Sequence, residues 1–87
     1  MDKKIEMEFP CRFPLKTIGK NIAGFETTIV EIVRRHVPDL QDHEISSRLS
    51  KDGKYVSITT TFTAVSREQL DELYYELSSH EQVMMVL

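Results

Sequence analysis

The side chains in this sequence that could do chemistry are His36, His43, His80, Cys11 and the acidic group Glu68, Asp71, Glu72 and Glu76, and their spacing decides what they can do. A metal needs ligands that converge, such as histidines one helical turn apart or a pair of closely spaced thiols. The three histidines fall near the ends of different predicted elements and Cys11 stands alone, so neither a metal site nor a cofactor is expected. Surface polar contact is the role read for each histidine. Glu72 and Glu76 stand four residues apart and could in principle share acid–base work. Such work needs surroundings that push two pKa values apart, and no nearby sequence builds such a pocket. The four carboxylates therefore read as a solvated helix surface, and no catalytic residue is assigned.

Phosphate and nucleic-acid chemistry meet similar obstacles. An acylphosphatase-like loop needs clustered glycines and a nearby arginine, whereas Gly19-Lys20-Asn21-Ile22-Ala23-Gly24 offers two separated glycines and no arginine. Arg34 and Arg35 close a predicted helix, where positive charge suits the carbonyl end of the dipole. A sheet that binds RNA stacks bases on outward aromatic side chains. The segment Lys54-Tyr55-Val56-Ser57-Ile58 offers one outward aromatic among hydroxyls, so RNA binding is kept as the alternative reading.

Bulk composition agrees. The 87 residues allow one domain, and 40% hydrophobic with 29% charged residues is ordinary for a globular protein. A net charge of -3 gives no general pull toward nucleic acid or an anionic membrane. A lone cysteine cannot form an internal disulfide, and Met1 to Glu6 lacks the apolar run of a signal peptide. A cytoplasmic location is expected.

The elements follow from periodicity. Residues 1–11 mix charged and apolar side chains before and around Pro10 and read as an arm, with the domain proper over 12–87. Arg12 to Lys20 reads as a strand with Phe13, Leu15 and Thr17 inward, leaving Lys16, Ile18 and Lys20 outward. From about Ala23 to His36, Phe25, Ile29, Ile32 and Val33 recur at helical spacing, and Pro38 stops the helix. Residues 43–50 alternate around Ile45 and Leu49. Lys54 to Ala64 alternates more clearly, placing Val56, Ile58, Phe62 and Ala64 on one face and Tyr55, Ser57, Thr59, Thr61 and Thr63 on the other. Asp52-Gly53 joins the two runs, both residues suiting the positive φ of a tight hairpin. Ser66 and Gln69 match a capping box. Leu70, Leu73, Tyr74 and Leu77 then form one helical stripe, and Val83 to Leu87 is a short buried-type strand. Met84-Met85 is assigned to strand core or an oligomer contact.

Strand, helix, strand, strand, helix, strand is a split βαβ order. Two right-handed crossovers place the first and third strands in the centre. The expected α+β architecture is thus a four-stranded antiparallel sheet of order 4-1-3-2 with two helices on one face.

Two resemblances add to this. The turn Asn21-Ile22-Ala23-Gly24-Phe25, between the first strand and first helix, resembles that of ACT-type amino-acid-sensing domains, in which loop and helix-start amides hold a small ligand. By that likeness Gly19, Asn21 and Gly24 are candidate ligand residues. Over nearly its whole length the chain is similar to the YbeD family of small bacterial proteins. The similarity lies in Phe9-Pro10, Phe13 to Gly19, Arg35-His36, Ser50-Lys51-Asp52-Gly53-Lys54-Tyr55-Val56-Ser57-Ile58, Gln69 to Leu77 and Val83 to Leu87. That resemblance implies a ferredoxin-like, ACT-like fold in a family without an established activity.

The function expected is a non-enzymatic regulatory or interaction module, in which an edge strand could pair two copies into a homodimer. It would bind a small metabolite at the Gly19–Gly24 loop or a partner protein. The partner surface would comprise Lys16, Ile18, Ser57, Thr59 and Thr61, or the hairpin from Lys51 through Lys54 and Tyr55. An enzyme would instead require a pocket gathering a histidine with carboxylates.

Overall fold

Ten-residue alternation is the strongest structural instruction in the chain, and it produces the two central strands. The computed structural model describes residues 8–87; the expected arm residues 1–7 lie outside the described residues. β1 (Cys11–Lys20) pairs antiparallel with β3 (Tyr55–Ala64) over ten successive positions, from Cys11 opposite Ala64 to Lys20 opposite Tyr55. Leu15, Thr17, Val56, Ile58, Thr60, Phe62 and Ala64 face one way and are buried. β2 (Ile45–Leu49) lies outside β3, and β4 (Val83–Val86) lies outside β1, so the order is β2-β3-β1-β4. This is the expected 4-1-3-2 sheet.

α1 (Phe25–His36) and α2 (Arg67–Ser78) close the buried face. The inward stripe of α1 is Phe25, Ile29, Ile32 and Val33, and that of α2 is Leu70, Leu73 and Leu77. They meet Leu15, Ile58 and Phe62 in a single core. Phe13 extends it at one end, its ring 6.1 Å from Phe62 and 6.4 Å from Tyr74 between centroids.

Several boundaries differ from the sequence reading, each for a local reason. β1 begins one residue earlier, at Cys11, because Ala64 is available opposite it. α1 begins at Phe25 rather than near Ala23, because Gly24 takes φ 85° in the left-handed region and sets the turn that precedes the helix. Asp42–Glu44 forms one 3₁₀ turn, so the following strand is shorter than residues 43–50. Leu49 obeys the alternation yet remains 55% exposed, since an edge strand has a neighbour on one side only.

The hairpin also uses Asp52 differently from the expectation. Only Gly53 adopts positive φ, at 73°. Asp52 instead accepts hydrogen bonds from the Ser50 hydroxyl at 2.7 Å and the Lys54 amide at 3.1 Å, and its carboxyl is held below the ordinary value first by Ser50 and then by Lys54. Ser66 caps α2 by accepting from Gln69 N at 3.1 Å. The reciprocal half of the capping box is displaced by one residue: Gln69 Oε1 accepts from Val65 N at 2.8 Å, not from the cap amide. Its Nε2 donates to the His36 carbonyl at 3.0 Å, which ties the start of α2 to the end of α1.

Candidate functional site

The two helices cover one face of the sheet, and the outward residues of the strands form the other. In register across β2, β3, β1 and β4, Arg48, Ser57, Ile18 and Met85 form one row. The neighbouring row holds Ser46, Thr59 and Lys16, and continues to Leu87 through paired backbone bonds of 3.1 and 2.8 Å with Lys16. Tyr55 stands opposite Lys20, and Thr61 opposite Pro14. Lys16, Ile18, Ser57, Thr59 and Thr61 therefore share one face, which no helix among the described residues covers. Tyr55 lies at its hairpin end, where Lys51 and Lys54 are exposed in the turn.

Charge is sorted between the layers. The four strands carry Arg12, Lys16, Lys20 and Arg48 and no aspartate or glutamate. The helices carry Glu26, Glu31, Glu68, Asp71, Glu72 and Glu76 against Arg34, Arg35 and Arg67. Arg12 is engaged locally, donating to Glu44 at 2.8 Å, to Thr63 Oγ1 at 3.2 Å and to the Thr61 carbonyl at 3.3 Å. The carboxyl of Glu44 is lowered chiefly by accepting from the Gln41 amide and secondarily by Arg12. Lys16, Lys20 and Arg48 form no ion pair among the described residues. A shallow hollow of about 210 Å³ opens beside Arg48, bounded by Ile18, Tyr55 and Ser57.

The Gly19–Gly24 segment has three different structural tasks. A Cβ at Gly19 would lie 2.5 Å from both the Phe25 ring and the Gln82 carbonyl oxygen, so only a glycine lets the strand pass this close. Asn21 donates its amide to the Lys54 carbonyl at 2.9 Å and its Nδ2 to the Gly53 carbonyl at 3.0 Å, bracing the loop against the hairpin. Gly24 occupies the cap position of α1 with no side-chain cap. Asn21 and Gly24 border a hollow of about 310 Å³ that reaches Ser47 and Leu49.

Once folded, one acidic candidate meets one histidine candidate and the others stay apart. Glu72 is exposed on α2, as expected of a solvated surface. Glu76 corrects that reading: its Oε1 lies 2.7 Å from His36 Nε2, and its Oε2 accepts from Arg35. Its carboxyl is lowered first by the His36 hydrogen bond and next by that of Arg35. The cluster clasps the end of α1 to α2, and residues 40 and 41 positions apart give no sequence signal for it. Arg34 turns elsewhere, to the Leu40 carbonyl and Asp42. His80 Nδ1 accepts from Gln82 N at 3.1 Å ahead of β4, and His43 is exposed. Among the described residues, no three His, Cys, Asp or Glu side chains gather as a metal site. No helix among them is long and apolar enough to cross a membrane.

The comparisons with known proteins agree with the geometry in pointing to a shared fold. The profile of a family described as "Protein of unknown function (DUF493)" matches residues 4–87. A UPF0250 protein of Chromobacterium violaceum is 49% identical, covering 99% of this chain and 98% of its own. A UPF0250 protein of Nitrosomonas europaea is 41% identical with both chains covered in full, 100%. The solution structure of protein HP0495 from H. pylori has a TM-score of 0.72 at 17% identity, covering 98% of this chain and 89% of that one. That likeness bears on the fold alone, which it supports as ferredoxin-like α+β.

Proposed function

We propose, from the premise that this chain belongs to the DUF493 family, that it is a non-enzymatic cytoplasmic module which acts by contact, offering its uncovered sheet face to a partner protein. One observation carries the reading: across the sheet, the outward side chains are hydroxyl, aliphatic and cationic, with three cations lacking a counter-charge among the described residues. A face required only to meet water has no need to exclude carboxylates from every strand. A photo-crosslinking residue in place of Thr59 should capture a discrete partner in cells, whereas the same residue in place of Glu31 on α1 should not. Equal capture from both positions, or capture from neither, removes the contact reading.

A second reading is favoured by the first turn of α1. Gly24 supplies no side-chain cap, and the adjoining hollow of about 310 Å³ would admit a small metabolite, as the ACT-like turn suggests. A ligand bound there raises the unfolding temperature by mass action. A panel of amino acids and their carboxylic-acid relatives that leaves the unfolding temperature unchanged removes this reading.

A further inference from the structure

We infer that the partner presents an acidic, amphipathic segment to the sheet face, its carboxylates meeting Lys16, Lys20 and Arg48 while its apolar side chains cover Ile18 and Met85; this rests on the contact reading above. The register places the three cations around one patch. Lys16 and Lys20 stand two residues to either side of Ile18 on β1, and Arg48 stands two strands away in the same row. With strands about 4.8 Å apart and about 3.3 Å of rise per residue, all three lie within about 10 Å of Ile18. Lys20 shares a small hollow with Glu81 without forming an ion pair to it.

The ground between the charges decides the class of occupant. Ile18, Ser57 and Met85 form an unbroken row there, with Met85 51% exposed. A bare phosphate would answer the charge and leave this row in water. Stacked bases need several outward aromatics, and Tyr55 is the one aromatic at an outward strand position. A segment with carboxylates on one side and aliphatic groups on the other uses both features, with Arg48 able to take a carboxylate in two parallel hydrogen bonds. A second copy could offer the acidic side of α2. That contact joins unlike surfaces, so repetition would build a ring or an open chain rather than a closed pair.

The test is an NMR titration of the full ¹⁵N-labelled chain with a synthetic amphipathic helical peptide bearing Glu on one side and Leu on the other. Its Gln-for-Glu twin, a single-stranded oligonucleotide and inorganic polyphosphate serve as rival probes. Shifts should centre on Ile18, Ser57 and Thr59 and fade with added salt. R48E should weaken binding several-fold, K16E/R48E together more than about tenfold, and E72Q should leave it unchanged. Absent shifts, equal binding of the Gln twin, tighter binding of oligonucleotide or polyphosphate at the same residues, or peptide-independent shifts that grow with protein concentration overturn the inference. Capture from position 59 of a partner segment without excess carboxylates also overturns it, while leaving the contact reading standing.

Discussion

The two faces of this sheet are built from alternate residues of the same strands, yet they obey opposite rules. On the helix side, Leu15, Ile58 and Phe62 are shielded from water and packed by residues from both helices. Two buried residues on that side are polar: Thr60, whose hydroxyl donates to the Leu15 carbonyl at 3.4 Å, and Thr17, whose hydroxyl has no partner among the described residues. On the other side, Ser57, Thr59 and Thr61 are half-buried by their neighbours alone. The contrast teaches that the residues which carry the core and those the proposed contact would use are different residues of one element, so each can be altered without the other.

The largest break in that contrast should come from Phe62→Ala, which removes a buried ring and should cost about 3–5 kcal/mol in chemical denaturation. Thr61→Ala, one residue away on the other face, should stay within about 0.5 kcal/mol. Comparable losses for the two would mean that the outward face also carries the fold. Gly19→Ala should cost about 1–3 kcal/mol, because the added methyl group meets both a ring and a backbone carbonyl. A neutral result would show that β4 moves aside without penalty.

Thr17→Val works in the opposite direction. It replaces a buried hydroxyl that has no partner among the described residues with a methyl group, and should stabilise the chain by about 1 kcal/mol. A loss would mean the hydroxyl has a partner in solution. The smallest effect concerns acid. Folding holds the Glu76 carboxyl below its ordinary value, so the stability linked to it is complete above the ordinary glutamate range and is lost as pH falls through the lowered value. The denaturation midpoints of wild type and Glu76→Gln should therefore differ at neutral pH and converge in acid. A difference that persists at the acid end would place the role of Glu76 in packing rather than charge.

What sequence could reveal divides along the same lines. Val56, Ile58, Phe62 and Ala64 declare themselves because strand side chains alternate with a period of two, and that period alone selects the buried face. Leu49 follows the same rule and yet is exposed, since whether a neighbour covers an edge strand is a tertiary matter. In sequence Asp52 signals a turn through its backbone tolerance, whereas in the fold its carboxylate makes the bonds. The Arg35–Glu76–His36 cluster joins distant positions with no local pattern to mark it. The candidate face is a different case. Its residues were assembled from alternation, but the exclusion of carboxylates from all four strands gains meaning only when those strands lie side by side.

Asn21 has a consequence that reaches past its own loop. One residue fastens both its amide and its side chain to the turn at Gly53 and Lys54, so the segment leading into α1 and the tip of the β2–β3 hairpin are mechanically one piece. A guest that pulled Asn21 away from that turn would free the Gly53 and Lys54 carbonyls, next to Tyr55, the outward ring nearest the tip. By thermodynamic reciprocity, were binding at Asn21 to change affinity over Tyr55 by some factor, binding over Tyr55 would change affinity at Asn21 by the same factor.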